Sequence, residues 1–422
     1  MTGLSHPRAL GVLTTLGVFV FFSAMFVVPS GYSYGGGLLL LVSAWFLAGR
    51  PRIVLAVDDR LLVAILVVYF VVTAGTTLRL GNNLSGIDQY SRALFTVPIL
   101  LLLLSVPVSL PVMWAAIVLG IVLSVPIAWW QVVVMDDTQA GGFMNMISFS
   151  NLTLVFVAFC GAGLFWAAGQ GRRANSWRLA FALGIVCGLY STIVGGSRGS
   201  WVAAVPLAVL FLFTFWSRRA ARTLALWFVV VALVLAGLFA WPDSPLRVRY
   251  QEGAANVAQI DEGNTANSIG ARLEIDKGAW LNLQRQPFWG WNMQKYAAAL
   301  RAQVKTGELG AIALHYTDNL HNNYLQAWVF TGLPGLLALL ALYGMPLWHF
   351  GRRLRDSDMT VRVLAFCGSS LAVSFIFCSL TYSSLRRNYG IMFYVLSLAI
   401  LWAAMHHARR QAQAQAQPES RA

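Results

Sequence analysis

"DNLHNNYLQAWVFTGLPGLLALLALYGMPLWHF", residues 318–350, changes character within a few positions. An Asp, three Asn and a His crowd its start, and from Tyr324 to Phe350 no Asp, Glu, Lys or Arg follows. That apolar run exceeds the roughly 20 residues a helix needs to cross the hydrocarbon of a bilayer. Runs of the same kind recur near residues 10–28, 35–49, 61–78, 93–105, 111–133, 147–169, 177–195, 200–216, 223–241, 362–380 and 389–405. The spacing predicts an all-α polytopic membrane protein of about twelve transmembrane helices. Composition agrees: 58% of the 422 residues are hydrophobic and 11% charged, against about 25% charged in soluble domains. Residues 1–30 have the Arg-then-apolar look of a secretory signal. The run is too long and lacks a small-x-small cleavage site, so it reads as the first span.

Basic residues orient the bundle. Seventeen of the 30 Lys and Arg fall on one side, with both termini, which makes the termini cytoplasmic. The short loops of the opposite, outer face hold only Arg79, Arg92, Arg198, Arg386 and Arg387. The remaining eight occupy one long outer loop, which crosses regardless of its charge. The net charge of +14 therefore reads as topology and attraction to anionic lipid headgroups. Nucleic acid is not expected as a partner, since no aromatic-lined basic groove is spelled out. All four cysteines lie inside spans, without Cys/His metal spacing. No metal site and no cofactor are expected.

The domain plan is nine helices over 1–241, a polar outer loop over 242–323, three helices over 324–406, and a low-complexity tail over 407–422 expected to be disordered. A long loop on a compact scaffold is usually functional. Within it, "NSIGARLEIDKGAWLNLQRQP" puts Ile269, Leu273, Asp276, Trp280 and Leu283 at helical spacing, ended by Pro287. "NMQKYAAALRAQVKTG" reads as a second helix closed by Gly307, and "PFWGWNM" between them as an aromatic turn at the membrane interface.

All 16 Asp and Glu lie outside the predicted spans, which argues against a proton- or sodium-coupled transporter. Asp136 and Asp137 read as a solvated turn rather than a cation site. In "IVGGSRGSW" (193–201), Gly-flanked Arg198 on the outer face could clamp a phosphate, or snorkel to headgroups. Arg272 stands four residues before Asp276, so an ordinary helix-surface ion pair is open to it. Arg79, Arg92, Arg386 and Arg387 are further outer-face cations that could bind substrate or sit at the interface. His321 is the one titratable group at the entrance of the tenth span. With Asp318 or Asn319 as N-cap it falls in the first turn, where the helix dipole keeps the ring neutral and favours a nearby anion. Tyr324 shares its face, and Asn322 pairs with Gln326. A capping or interfacial role is the alternative, and His315 is the competing base.

The hydropathy plan of the whole chain, with "GGSRGSW", "ARLEIDKGAW…QPFWGW" and "HNNYLQAWVFTGLPG", resembles the O-antigen ligase (WaaL) family, within the group that includes O-antigen polymerases and protein O-oligosaccharyltransferases. The chain departs from that pattern at Phe330, where many members carry a Glu. The resemblance implies a glycosyltransferase of lipopolysaccharide biosynthesis in the bacterial inner membrane, working on its periplasmic face. The donor would be O-antigen on undecaprenyl pyrophosphate and the acceptor lipid A-core. His321 matches the family's proposed catalytic His, and Arg198 and Arg272 match the arginines thought to hold the donor pyrophosphate. Such a reaction needs a base for the acceptor hydroxyl and cations for the leaving pyrophosphate. With no nucleophilic carboxylate or metal cluster spelled out, the expected chemistry is inverting and metal-independent, with Asn322, Tyr324, Arg79, Arg386 and Arg387 near substrate. The polymerase and the protein oligosaccharyltransferase share this donor. A lipid or polysaccharide transporter is the non-enzyme alternative.

Overall fold

A computed structural model describes residues 6–83, 85–217, 244–261 and 267–416, with 229, 233, 236–237 and 239–241. Among these residues no strand occurs and ten helices are long and apolar enough to cross a membrane. They are α2 (Gly31–Ala48), α3 (Val57–Arg79), α4 (Ser85–Ser105), α5 (Leu110–Trp129), α6 (Met146–Ala167), α7 (Ala174–Val194), α8 (Arg198–Phe215), α12 (Asn323–Gly351), α13 (Met359–Cys378) and α14 (Asn388–Ala416). Of the twelve expected spans, the first forms a shorter apolar helix, α1 (His6–Ser23). The ninth, 223–241, lies largely outside the described residues. The helix expected to stop near 406 continues to Ala416, because "HHARRQAQAQA" is rich in good helix formers. The last six residues are outside the described set.

Burial separates the core from the periphery. The apolar windows of α14, α13 and α6 are 89%, 83% and 72% buried, against 33–50% for the other spans. Lipid offers no hydrophobic drive between helices, so contact depends on close packing. Gly184 and Gly188 of α7 supply it against α6, where an added Cβ at Gly184 would stand 2.8 Å from Cys160 Sγ. The spans hold more charge than the sequence reading allowed. Asp58 and Asp59 open α3 and Asp88 opens α4. A carboxylate is tolerated in a first turn by the helix dipole, and these are paired: Asp58 with His349 (2.9 Å) and Arg352 (2.6 Å), Asp59 with Trp402 Nε1 (2.8 Å).

Among its described residues the loop forms three α-helices, α9 (Pro245–Asp261), α10 (Ser268–Arg285) and α11 (Met293–Lys305), and a 3-10 helix, Ala311–Tyr316; α9 is not among the helices that the spacing predicts. Asn267 and Asn292 cap α10 and α11, each accepting from two backbone N–H groups. The buried face of α10 is Ala271, Ile275, Ala279 and Leu283, while Leu273 and Trp280 are each 52% exposed. The apolar face is therefore offset from the one read by spacing. Small residues let α11 approach: a Cβ at Gly278 would meet Leu300 at 2.8 Å.

"PFWGW" docks into a break in α12. Gly332 has φ 71° and ψ −176°, a conformation only glycine adopts readily, and Pro334 follows. The interrupted backbone finds partners in the loop: Trp291 N–H donates to Val329 O (2.6 Å), and Leu333 N–H to Phe288 O (3.1 Å). Trp328 Nε1 donates to Pro287 O (2.7 Å). At membrane depth such freed groups must be satisfied by protein. The loop is thus fastened to the end of the bundle that carries Arg79, Asn82 and Ser379.

Candidate active site

The site assembles at that loop end, from three segments distant in sequence. The first is the turn entering α8. Gly196 adopts φ 65°, Gln139 donates to its carbonyl (3.1 Å), and Ser197 N–H donates to Ser150 Oγ (3.3 Å). This delivers Arg198 as the first residue of α8. Its Nη2 donates to Ser268 Oγ (2.8 Å), while its Nη1 is buried without a partner. Ser268 is the first residue of α10 and also accepts from Asn256 Nδ2 (3.1 Å). Arg272 lies one turn along α10, half-buried.

The third segment carries His321, and its placement differs from the expected one. The N-cap of α12 is Asn322, whose Oδ1 accepts from Tyr324 N (3.1 Å) and Leu325 N (3.2 Å). His321 therefore precedes the helix, in a left-handed conformation (φ 51°) that His tolerates better than most residues. Its ring stands edge-on to Tyr316 (5.1 Å between centroids) and faces Tyr382 (6.1 Å). Nδ1 is buried and unpartnered. His315 is exposed. Gln326 does not pair with Asn322; it accepts from Leu320 N (2.9 Å) and donates to Asp318 O (3.2 Å), holding the turn closed.

Charge ties the three segments together. Burial, then Arg272, then Arg387 push the His321 pKa down to about 4, opposed only by Asp318. The ring is neutral as expected, but burial and two guanidiniums keep it so. Burial and the like charge of Arg198 lower the pKa of Arg272. Asp276 feels Arg272, yet burial dominates and raises its pKa to about 6; the two form no ion pair among the described residues. Three cationic or protonatable groups thus crowd together with little carboxylate to offset them, and two of their nitrogens lack partners. Unpartnered nitrogens on neighbouring cationic or protonatable groups leave donors free for a ligand, and the sign of the field suits an anion.

The other expected site residues have defined places. Tyr324 donates its hydroxyl to Ile376 O (2.9 Å), so with Asn322 it supports the turn from inside the protein. Arg79 donates to the Trp289 carbonyl and lies over that ring, fastening the loop. Arg386 pairs with Asp318 (3.2 Å) and has a buried, unpartnered Nη1. Arg386 and Arg387 line a cavity of about 540 Å³ that His321, Arg198 and Arg272 do not line. Phe330 packs edge-on against Tyr296 (5.3 Å). Asp136 and Asp137 are exposed.

A family model described as O-antigen ligase matches residues 183–340, the stretch that contains Arg198, Arg272 and His321. Over that stretch, 158 of the 422 residues, the chain is similar to the O-antigen ligase family. The resemblance read from its motifs is thereby borne out. Over 379 residues the chain is 22% identical to an uncharacterized protein of Haemophilus influenzae, covering 89% of this chain and 94% of that one. It is 23% identical over 145 residues to the O-antigen ligase of Escherichia coli K12, covering 34% of each. The matched stretch runs from α7 to the middle of α12, so it spans both the membrane scaffold and the loop that meet at the site. Sequence reasoning missed Ser268, Tyr316 and Tyr382. Of these only Ser268 left a trace, one helical turn before Arg272.

Proposed function

We propose that the protein transfers O-antigen polysaccharide from undecaprenyl pyrophosphate to lipid A-core on the periplasmic face of the bacterial inner membrane. The observation that carries this reading is the junction Arg198–Ser268–Arg272 beside His321, inside the family-matched segment, with Arg198 Nη1 and His321 Nδ1 buried and unpartnered. The loop end of the bundle is the periplasmic end in this reading, and both termini are cytoplasmic.

The donor pyrophosphate lies against Arg198 and Arg272, whose planar guanidiniums suit phosphate oxygens. The acceptor hydroxyl attacks the anomeric carbon from the face opposite the pyrophosphate. A new C–O bond forms as the bond to pyrophosphate breaks, and undecaprenyl pyrophosphate leaves with the electron pair. The hydroxyl proton passes to His321. A single displacement inverts the anomeric centre; retention needs a nucleophilic carboxylate. In the free protein His321 at about 4 is a weak base. An anion beside Arg272 offsets one of the charges that depress it and raises its pKa part of the way toward the working pH, where general bases act best, while burial, the larger cause, stays. Two guanidiniums supply the positive charge that a metal ion supplies elsewhere.

The test is reconstitution of the purified protein with undecaprenyl-pyrophosphate-linked polysaccharide and lipid A-core. Wild type should ligate, with or without EDTA, and His321→Ala should not. No product from wild type overturns the transfer. Loss in EDTA overturns the metal-independent step. Product chains lengthened on the donor lipid, or sugar on a protein acceptor, would assign the same chemistry to a polymerase or a protein O-oligosaccharyltransferase.

A further inference from the structure

The 540 Å³ cavity lined by Arg386 and Arg387 has an apolar neighbour. Its walls are hydrogen-bonding amides, tyrosines and charges, among them Asn83, Gln89, Asn388, Tyr32 and Tyr90. This is the mixture that grips sugar hydroxyls and ring faces, and the size suits the roughly 300–1,000 Å³ of ligand pockets. Below it, on the same three helices, lies an apolar groove of about 110 Å³ between α2, α4 and α14, floored by Gly36 and Gly37 and walled by Phe95, Ile99 and Val395. The Asp88–Arg92 ion pair (2.8 Å), one turn of α4, joins the two, with Asp88 lining the cavity and Arg92 the groove. Arg92 Nε and Arg386 Nη1 are buried without partners, so each of these ion-paired guanidiniums keeps an unmet N–H donor, one at the junction and one in the cavity wall.

We propose that this two-part recess receives the acceptor, a phosphorylated glycolipid. Its sugars and phosphates occupy the polar cavity, and part of an acyl chain lies in the groove, entering from the bilayer between α2 and α4. The assignment rests on the transfer proposed above, in which Arg198 and Arg272 hold the donor; neither lines the recess. The recess still communicates with the base. Tyr389 in its wall hydrogen-bonds through its hydroxyl to that of Tyr382 (3.3 Å), which faces His321, and Arg387 in the same wall acts on the His321 charge. An amphiphile seated here extends its glycan toward His321 from the side away from the two donor arginines. The two unmet guanidinium N–H donors favour a headgroup rich in strong acceptors, such as a phosphorylated sugar, over a lipid without them.

Two glycines permit a clean test. A Cβ at Gly37, in the groove, meets nothing within 4 Å, and one at Gly86, in the cavity, meets only Gln89 Nε2 at 3.9 Å. Gly37→Phe and Gly86→Trp should fold as wild type by thermal unfolding while plugging groove and cavity. In nanodiscs, binding of labelled lipid A-core should weaken by about tenfold or more in each, with a matching rise in acceptor KM. Binding of labelled undecaprenyl-pyrophosphate glycan should be unchanged. Wild-type acceptor binding in both folded variants overturns the proposal. So does loss of donor binding, or competition by phosphatidylglycerol as effective as by lipid A-core. If wild type fails to transfer sugar but binds lipid A-core in a manner blocked by Gly86→Trp, the recess assignment stands while the transfer reading falls.

Discussion

Arg198 opens α8 and donates a 2.8 Å hydrogen bond to Ser268, which opens α10 seventy residues later. One membrane helix and one loop helix thus begin at the same point, and each brings an arginine to it. Ser268→Ala should leave the fold intact but free the Arg198 side chain. A hydrogen bond to a charged group contributes about 1.5–3 kcal/mol, so transfer should fall roughly tenfold to a hundredfold. Arg198→Lys should lose about a hundredfold, the scale of one lost donor to a developing oxyanion. Initial rates in proteoliposomes check both; wild-type rates in either would remove Arg198 from the site.

Arg272 acts on two titrating neighbours. It depresses His321 and also lowers Asp276 against the larger effect of burial. Arg272→Gln should therefore raise both pKa values in a side-chain NMR titration, with His321 staying below its ordinary 6.5 and Asp276 above its ordinary 3.8, because burial, the larger cause for each, is unchanged. In the wild type, His321 sits below its ordinary 6.5, so its contribution to stability is present above pH 6.5 and lost as pH falls toward about 4. Asp276, raised above its ordinary 3.8, contributes stability below that pH and loses it as pH rises through about 6. Thermal unfolding of Asp276→Asn should lose the second limb only.

His321 combines a chemical role with an awkward backbone. At φ 51° a glycine is under no strain. His321→Gly should unfold at or above the wild-type temperature and yet transfer sugar about 10²–10⁴ times more slowly, the usual contribution of a positioned base. Destabilisation together with the loss of activity would instead assign the ring to packing between Tyr316 and Tyr382.

Gly332→Ala tests the joint between loop and span. The new Cβ would be forced onto the Phe288 carbonyl in a left-handed backbone, at a cost of about 1–3 kcal/mol. Unfolding should begin several degrees lower, with Trp emission shifting to the red and protease sensitivity rising around 287–291. Unchanged behaviour on both would show that the break tolerates a side chain.

Much of this was legible in the sequence. Ten of the twelve predicted spans form apolar helices of crossing length, because hydropathy is a local property. Arg198, Arg272 and His321 could be picked out as residues, and the structure brings them together. Their partners could not be read, since Ser268 meets Arg198, and Tyr382 meets His321, only through the tertiary fold. The start of α12 was misjudged by a few residues for the same reason. Asn323 N–H donates to Ser379 O (2.7 Å), and that contact with α13 fixes where the helix begins. Local propensity alone ranks Asp318, Asn319 and Asn322 alike as caps. The face of α10 was read from its large residues, whereas its packing is made by small ones.

The break at Gly332 also bears on how such chains can be recombined. Residues 287–291 and 328–333 complete one another's backbone hydrogen bonds where the loop meets the span. A chimera that takes the loop from a relative but keeps its own α12 would leave carbonyls and amides of the break without partners. Junctions placed before α10 and after Pro334 would instead carry the lock and its keyhole across together, making that block the smallest piece that can be exchanged without unpicking the membrane helix.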